Sequence, residues 1–282
     1  MKINRNIERT ENMAMKLGII CDYDDNGFQK AKDLGLEFIE ICYNVGNDCE
    51  KFSKETLPML IERTEKYGVA IGSIGRWGSE KIDKEGNIDE VEFKNNCLLI
   101  DACHALDCNV FVTGVNYVDG FSLYENCTFA IAFLEKLIAY GKERNVDIAI
   151  YNCDWNNFIR EPHSWELILG YLKELGIKYD PSHCINTGSG KYIDETVKWG
   201  NRFHHVHIKG TLNTAESGHV DDPPAGLDDI NWGAFMSVLY KVGYDRTLSI
   251  EPHSSTWKDA LGDWGVKFTV DYMNKLVYKG VK

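Results

Sequence analysis

The stretch Lys241-Val242-Gly243-Tyr244-Asp245-Arg246-Thr247-Leu248-Ser249-Ile250-Glu251 carries a helix end, a glycine turn, a short apolar run and an acid, in that order. Gly243 supplies the left-handed residue by which a helix closes and the chain turns back toward a sheet. The run Thr247 to Glu251 reads as a strand buried on both faces. Outward from this unit the same grammar recurs. Glycine turns follow helical patterns at Asp33-Leu34-Gly35, Lys66-Tyr67-Gly68 and Glu174-Leu175-Gly176. Strand-like runs cover Lys16 to Cys21, Phe38 to Tyr43, Ala70 to Ile74, Asn109 to Val115, Asp147 to Tyr151, Ile177 to Asp180 and Phe203 to Ile208.

Helical patterns lie between them, at Glu55 to Tyr67, Asp89 to Leu106, Tyr124 to Arg144, Pro162 to Leu175, Tyr192 to Trp199, Trp232 to Val242 and Trp257 to Leu276. In the fourth-to-fifth connection, Phe129, Phe133, Leu134, Leu137 and Ile138 form one apolar stripe. Eight strand–helix alternations predict an α/β fold, a (β/α)8 TIM barrel, rather than an open doubly wound sheet. The first strand is followed by Cys21-Asp22-Tyr23-Asp24-Asp25, so the glycine-rich phosphate loop of a dinucleotide fold is missing. The barrel is expected to be a single domain over 15–282 behind a polar leader, 1–14. The long connection Gly210 to Asn231 is expected to be irregular and functional.

With 282 residues and 44% apolar content, the chain can bury a large core. A formal charge of -12 speaks against a nucleic-acid partner, whose affinity rests on Lys and Arg displacing counterions. No stretch has the length of a membrane span, about 18 apolar residues or more. Nine cysteines without a CxxC pair read as reduced thiols of a cytoplasmic protein.

Three strand ends carry chemistry. Asp180 closes the sixth run, His207 comes late in the seventh and Glu251 closes the eighth. Strand ends at the C-terminal face of a barrel build its pocket, and neighbouring strands lie about 4.8 Å apart, so three such side chains can meet one ion. Two carboxylates and an imidazole suit manganese first, with magnesium, cobalt, zinc or iron as alternatives. Taken singly, Asp180 is as readily a helix cap and either histidine a packing residue. Alternation puts His205 and His207 on one face and His204 on the other. Glu251 follows Leu248-Ser249-Ile250, where a charge must be paired or metal-bound.

The motifs Asp180-Pro181-Ser182-His183, His205-Val206-His207-Ile208-Lys209, Gly226-Leu227-Asp228-Asp229-Ile230-Asn231-Trp232 and Ile250-Glu251-Pro252-His253 together resemble the sugar isomerase/epimerase superfamily, with its xylose isomerase-like TIM barrel. The resemblance spans about Met15 to Leu276 and implies one divalent metal held by Asp180, His207 and Glu251. It places His183 near a carbohydrate substrate and lets Glu251 double as a base. Relatives of this barrel include dimers, tetramers and pairings with a small subunit, so a homo-oligomer or an accessory subunit is open here. The superfamily also has an endonuclease branch, which the acidic charge disfavours.

The same pattern expects a Glu ending strand five, where Tyr151 stands, followed by Asn152 and Asp154. Asn152, Asp154, water or substrate then remain as the fourth ligand, with Asn152 taken first and a Tyr151 phenolate the rarer alternative. Without the second carboxylate, symmetric two-base epimerisation loses ground. The shared first step survives: a base removes the proton beside a carbonyl and the enediolate is stabilised. Reprotonation gives an isomerase or epimerase. Loss of a β-leaving group gives a lyase or dehydratase, for example one cleaving 3-oxo-glycosides, including C-glycosides. Base candidates are Glu251, His183, His253 and Asp154. Glu40, Arg76, Trp77, Lys209 and Trp257 are the expected substrate contacts. A carbohydrate-binding relative without catalysis is the reading of another class.

Overall fold

The computed structural model describes residues 14–187 and 189–279. The leader expected at 1–14 lies outside them except for Ala14. The strands are β1 (Lys16–Ile20), β2 (Phe38–Cys42), β3 (Ala70–Arg76), β4 (Val110–Thr113), β5 (Asp147–Tyr151), β6 (Gly176–Tyr179), β7 (Phe203–Ile208), β8 (Leu212–Thr214), β9 (Gly218–Asp221) and β10 (Thr247–Ile250). All but β8 and β9 pair in parallel, in the order β1 to β7 and then β10, which closes the barrel on β1. The eighth barrel strand is thus β10, and the expected strand–helix alternation is the observed one. Among the described residues no helix is long and apolar enough to cross a membrane.

Local chemistry sets the helix ends. Asp24 caps the helix Asp25–Asp33, its Oδ1 accepting from the Gly27 N–H at 2.9 Å. Ser122 and Glu125 form a reciprocal capping box at the head of Leu123–Lys142. Gly68 and Gly243 end their helices with φ of 68° and 79°, the left-handed backbone a side chain would oppose. Gly176 departs from that expectation. The preceding helix stops at Tyr171, and Gly176 is the first residue of β6, without a left-handed φ. Its missing side chain leaves room for the His204 ring, which a Cβ there would meet at 2.2 Å.

The Gly210 to Asn231 connection is not irregular throughout, because β8 and β9 pair there as an antiparallel hairpin. Phe28, Leu99, Phe133, Trp165 and Trp232 are fully buried in the main hydrophobic core. Each contributes roughly 2 kcal/mol of apolar burial. The barrel interior is divided. Toward β3, β4 and β5 it is apolar, filled by Trp77, Val110, Val112, Ala149 and Tyr151. Across from them, β2, β6, β7 and β10 bury Glu40, Lys178, His205, His207 and Ser249. Asp180 is buried directly after β6.

Candidate active site at the barrel mouth

Strand alternation explains which side chains meet. His205 pairs in register with Thr247 and with Lys178, and His207 with Ser249. His204 faces away, with its Nδ1 3.9 Å from Asp147. Glu40 reaches across the interior from β2. Its carboxylate lies 2.8 Å from His205 Nε2 and 3.0 Å from His207 Nε2. His207 Nδ1 lies 2.6 Å from Glu251 Oε2, and His205 Nδ1 2.6 Å from Thr247 Oγ1. Both nitrogens of both rings are therefore engaged by neighbouring oxygens.

Asp180 divides its carboxylate between two tasks. Oδ1 accepts from the Ser182 N–H at 2.9 Å and starts the short helix Pro181–Asn186. Oδ2 is buried and without a hydrogen-bond partner. It faces Lys209 Nζ at 3.4 Å, His183 Nε2 at 3.4 Å and Lys178 Nζ at 3.9 Å. Lys209 also stands 3.9 Å from Glu251 Oε1. Asn152 fixes the backbone of this turn: its Nδ2 donates to the Asp180 carbonyl and its Oδ1 accepts from the Asp180 N–H, both at 2.9 Å. Asn152 Oδ1, expected as a fourth ligand to an ion, instead positions Asp180.

The charges respond to one another. Burial alone raises the pKa of each carboxyl. It is outweighed at Glu251 by Lys209 and His207, at Asp180 by Lys209, and at Glu40 by His207 and His205, so all three fall below their ordinary values. Burial lowers His207 too, but Glu40 and Glu251 bring it above the usual histidine value. His183 is pushed down by burial to about 4 and is neutral at pH 7. Burial also lowers Lys209, but Asp180 and Glu251 outweigh it and raise its pKa.

Tyr151 turns into the barrel at the end of β5. Its ring stacks on Trp77, centroids 4.1 Å apart, and its hydroxyl donates to the Trp155 carbonyl at 2.8 Å. Burial raises the phenol's pKa, which keeps it neutral. Gly114 makes room, since a Cβ there would come within 2.2 Å of the Tyr151 ring and hydroxyl. On the same indole lies the Lys178 ammonium, 5.1 Å from the ring centroid. Lys178 was missed as a site residue. The available signal is its spacing: two residues before Asp180 in an apolar run, it shares that residue's face.

A cavity of about 280 Å³ opens on this cluster, lined by Trp77, Trp155, Lys178, His183, His207, Lys209, Glu251 and His253. Other expected contacts lie elsewhere. Arg76 points out of the barrel, its guanidinium donating to Glu92 at 2.8 and 3.1 Å and to the Asn44 carbonyl at 2.7 Å. Asp154 is 68% exposed and pairs with Arg160 at 3.2 Å; it lies between Cys153 and Trp155 of the cavity wall but does not itself line it. Trp257 stacks on Trp264 and lines an adjoining crevice of about 30 Å³ that shares Glu251, Pro252 and His253 with the cavity. His253 stands at the rim, 62% exposed, with Nδ1 3.1 Å from Asp222.

A family model described as the xylose isomerase-like TIM barrel matches residues 28–269. The chain belongs to that family. No match was found among curated protein sequences. Solved xylose isomerase-like barrels similar to this one include a xylose isomerase domain protein from Planctomyces limnophilus, at 15% identity and a TM-score of 0.73, covering 93% of this chain and 97% of that one. A D-allulose 3-epimerase from Methylomonas sp. in complex with D-allulose has 16% identity and a TM-score of 0.70, covering 94% and 98%. The IOLI protein, solved with a bound zinc atom, has 16% identity and a TM-score of 0.70, covering 95% and 100%. At these identities the likeness is one of fold.

Among the described residues two groups bring ligand-type atoms within 4.8 Å of one another, Glu40–His205–His207 and Asp180–His207–Glu251. This xylose isomerase-like barrel thus carries a candidate metal site, and the donor types suit a divalent ion. The surroundings do not. The His207 nitrogens are both taken by carboxylates, and the Lys209 ammonium lies in ion-pair range of both Asp180 and Glu251.

Proposed function

We propose that this barrel is a sugar isomerase/epimerase-like enzyme that removes a proton next to the carbonyl of a carbohydrate and stabilises the resulting enediolate. One observation carries the reading: an ionised carboxylate, Glu251, and the ammonium of Lys209 meet at one end of a cavity of about 280 Å³. That volume is close to the lower bound of about 300 Å³ for small-molecule sites and fits a monosaccharide. The relative solved with D-allulose supports the same substrate class.

Each residue then has a task. Glu251 is 18% exposed toward the cavity, and its Oε1 has Lys209 as its near neighbour at 3.9 Å. It takes the proton from the carbon beside the carbonyl, and the electron pair moves into the carbon–carbon bond. The carbonyl oxygen becomes an oxyanion held by the Lys209 and Lys178 ammonium groups, whose fixed charge lowers the barrier. Asp180 orients Lys209. His183, neutral at pH 7 and beside Lys209, moves the hydroxyl proton between the two substrate oxygens while the carbon-derived proton stays on Glu251. Trp77 and Trp155 wall the ring of the substrate. Glu251 returns the proton to the neighbouring carbon for isomerisation, whereas epimerisation needs a proton delivered to the opposite face of the same carbon, the role of a second base.

A second reading rests on Tyr151. A neutral phenol stacked on Trp77 cannot serve as the opposite base at pH 7. One-base chemistry therefore gains weight, and β-elimination from a 3-oxo-glycoside, including a C-glycoside, needs one base on one face. Incubating the protein with a panel of ketoses and 3-oxo-glycosides in deuterium oxide, followed by proton NMR, separates the outcomes. Loss of the C–H signal beside the carbonyl marks enolisation, and aglycone release marks elimination. Binding without either is the result of a carbohydrate-binding relative and would reject the enzyme.

A further inference from the structure

We propose that the ammonium groups of Lys178 and Lys209 stand in for a divalent cation, so that the barrel mouth works without a resident metal ion. The inference deepens the enolisation reading and rests on it for what the ammonium groups do. Its test, metal binding, does not depend on activity.

Geometry supplies the first argument. Lys209 Nζ lies 3.4 Å from Asp180 Oδ2 and 3.9 Å from Glu251 Oε1, between the two carboxylates that an ion would join. Lys178 Nζ is 3.9 Å from the same Asp180 oxygen. Both lysines are buried, at 1% and 5% exposure, so their ammonium groups depend on these partners for compensation. The third ligand candidate, His207, turns one ring nitrogen to Glu251 and the other to Glu40. It has no free nitrogen for an ion.

Charge supplies the second. Glu40, Asp180 and Glu251 bring three negative charges to the buried cluster, and Lys178 and Lys209 return two positive ones. From these five side chains alone one negative charge remains, shared by carboxylates that already bond His205 and His207, with both His207 nitrogens turned to them. A divalent ion added here would overcompensate it and leave a buried positive charge without a partner, which is costly.

A third observation ties the lysine to the tyrosine. Lys178 rests on the Trp77 indole, and the same indole stacks on Tyr151. The residue that stands where a fourth acidic ligand is expected therefore supports, through Trp77, one of the two cations. An acid lost and a cation held in place belong to a single arrangement. On substrate, the two ammonium groups face the oxygen that gains charge when Glu251 removes the proton. The proton rests on Glu251 until it returns to carbon, and nothing is oxidised or reduced.

The test uses the full chain, purified without chelator. Metal content is measured by plasma mass spectrometry, and MnCl2, CoCl2 and ZnCl2 are titrated by calorimetry and by thermal melting. Metal content well below one ion per chain is expected, with no melting shift at a metal concentration about 100-fold above a micromolar Kd, where a bound ion would give a clear rise. The variant Tyr151→Glu/Lys178→Met/Lys209→Met, which restores an acid and removes both cations, is expected to bind Mn at least about 10-fold more tightly than the natural chain. Lys209→Met alone is the fallback if the triple variant does not fold, with the same direction. A natural chain whose bound ion or metal-dependent stabilisation is removed by Asp180→Asn or by His207→Gln overturns the proposal. Metal binding that neither Asp180→Asn nor His207→Gln changes lies outside both candidate groups and upholds it. If an ion binds at the mouth, this inference fails while enolisation stands. If no ion binds and no substrate exchanges, the functional reading fails instead.

Discussion

Lys209 Nζ and Asp180 Oδ2 face each other at 3.4 Å, both side chains buried at the end of neighbouring strands. Removing one member of such a pair strands the other charge, which costs about 3 kcal/mol or more. Lys209→Met is accordingly expected to lower the unfolding free energy by about that amount in urea denaturation. The double variant Lys209→Met/Asp180→Asn should lose less than the sum of the single losses, because the two residues are coupled. Strict additivity would show that the pair does not interact.

Glu251→Gln keeps the shape of the side chain and its place beside His207 but removes the base. Its rate of solvent deuterium exchange into substrate is expected to fall by about 10²–10⁴-fold. An unchanged rate would move the base to His183, which lines the same cavity.

Gly114 exists to admit Tyr151. A methyl group there would press on the phenol at 2.2 Å, and the strand and the stacked Trp77 leave the ring nowhere to go. Gly114→Ala is expected to cost about 1–3 kcal/mol of stability. Tyr151→Phe should cost about 1 kcal/mol, through loss of the hydrogen bond to Trp155. Thermal melting of the two variants ranks them, and the reverse order would contradict the packing described.

Away from the mouth, His204 gives a pH dependence of known sign. Burial pushes it down to about 4 from its ordinary 6.5. Between those values the unfolded chain binds a proton that the folded chain refuses, so its contribution to stability is full above about 6.5 and is lost as pH falls toward about 4. The stability advantage of the natural chain over His204→Gln should therefore shrink between pH 7 and pH 5. A constant difference would mean that the folded protein protonates His204 as readily as the unfolded one.

Much of this arrangement is readable in the sequence. Apolar runs bounded by glycine turns mark the strands, and alternation in Phe203-His204-His205-Val206-His207 separates the inward histidines from His204. Other features need the third dimension. The β8–β9 hairpin is largely exposed and polar, so no hydrophobic period announces it. The sequence places Arg76 at the mouth as one of two residues, with Trp77, that end strand three. The strand continues to Arg76, whose partner Glu92 lies on the helix Glu90–Ala105 outside the barrel. Asn152 offers ligand atoms in the sequence, and only the fold spends them on the Asp180 backbone. The Glu40 contact to both histidines spans 165 and 167 positions, beyond any local pattern.

Deuterium exchange at the carbon beside a ketose carbonyl, measured by proton NMR with the protein held in excess EDTA, tests the central claim most directly. Exchange that persists in the chelator at the same rate, and is lost in Glu251→Gln, is the expected result. Exchange abolished by EDTA and restored by manganese, cobalt or zinc would contradict it.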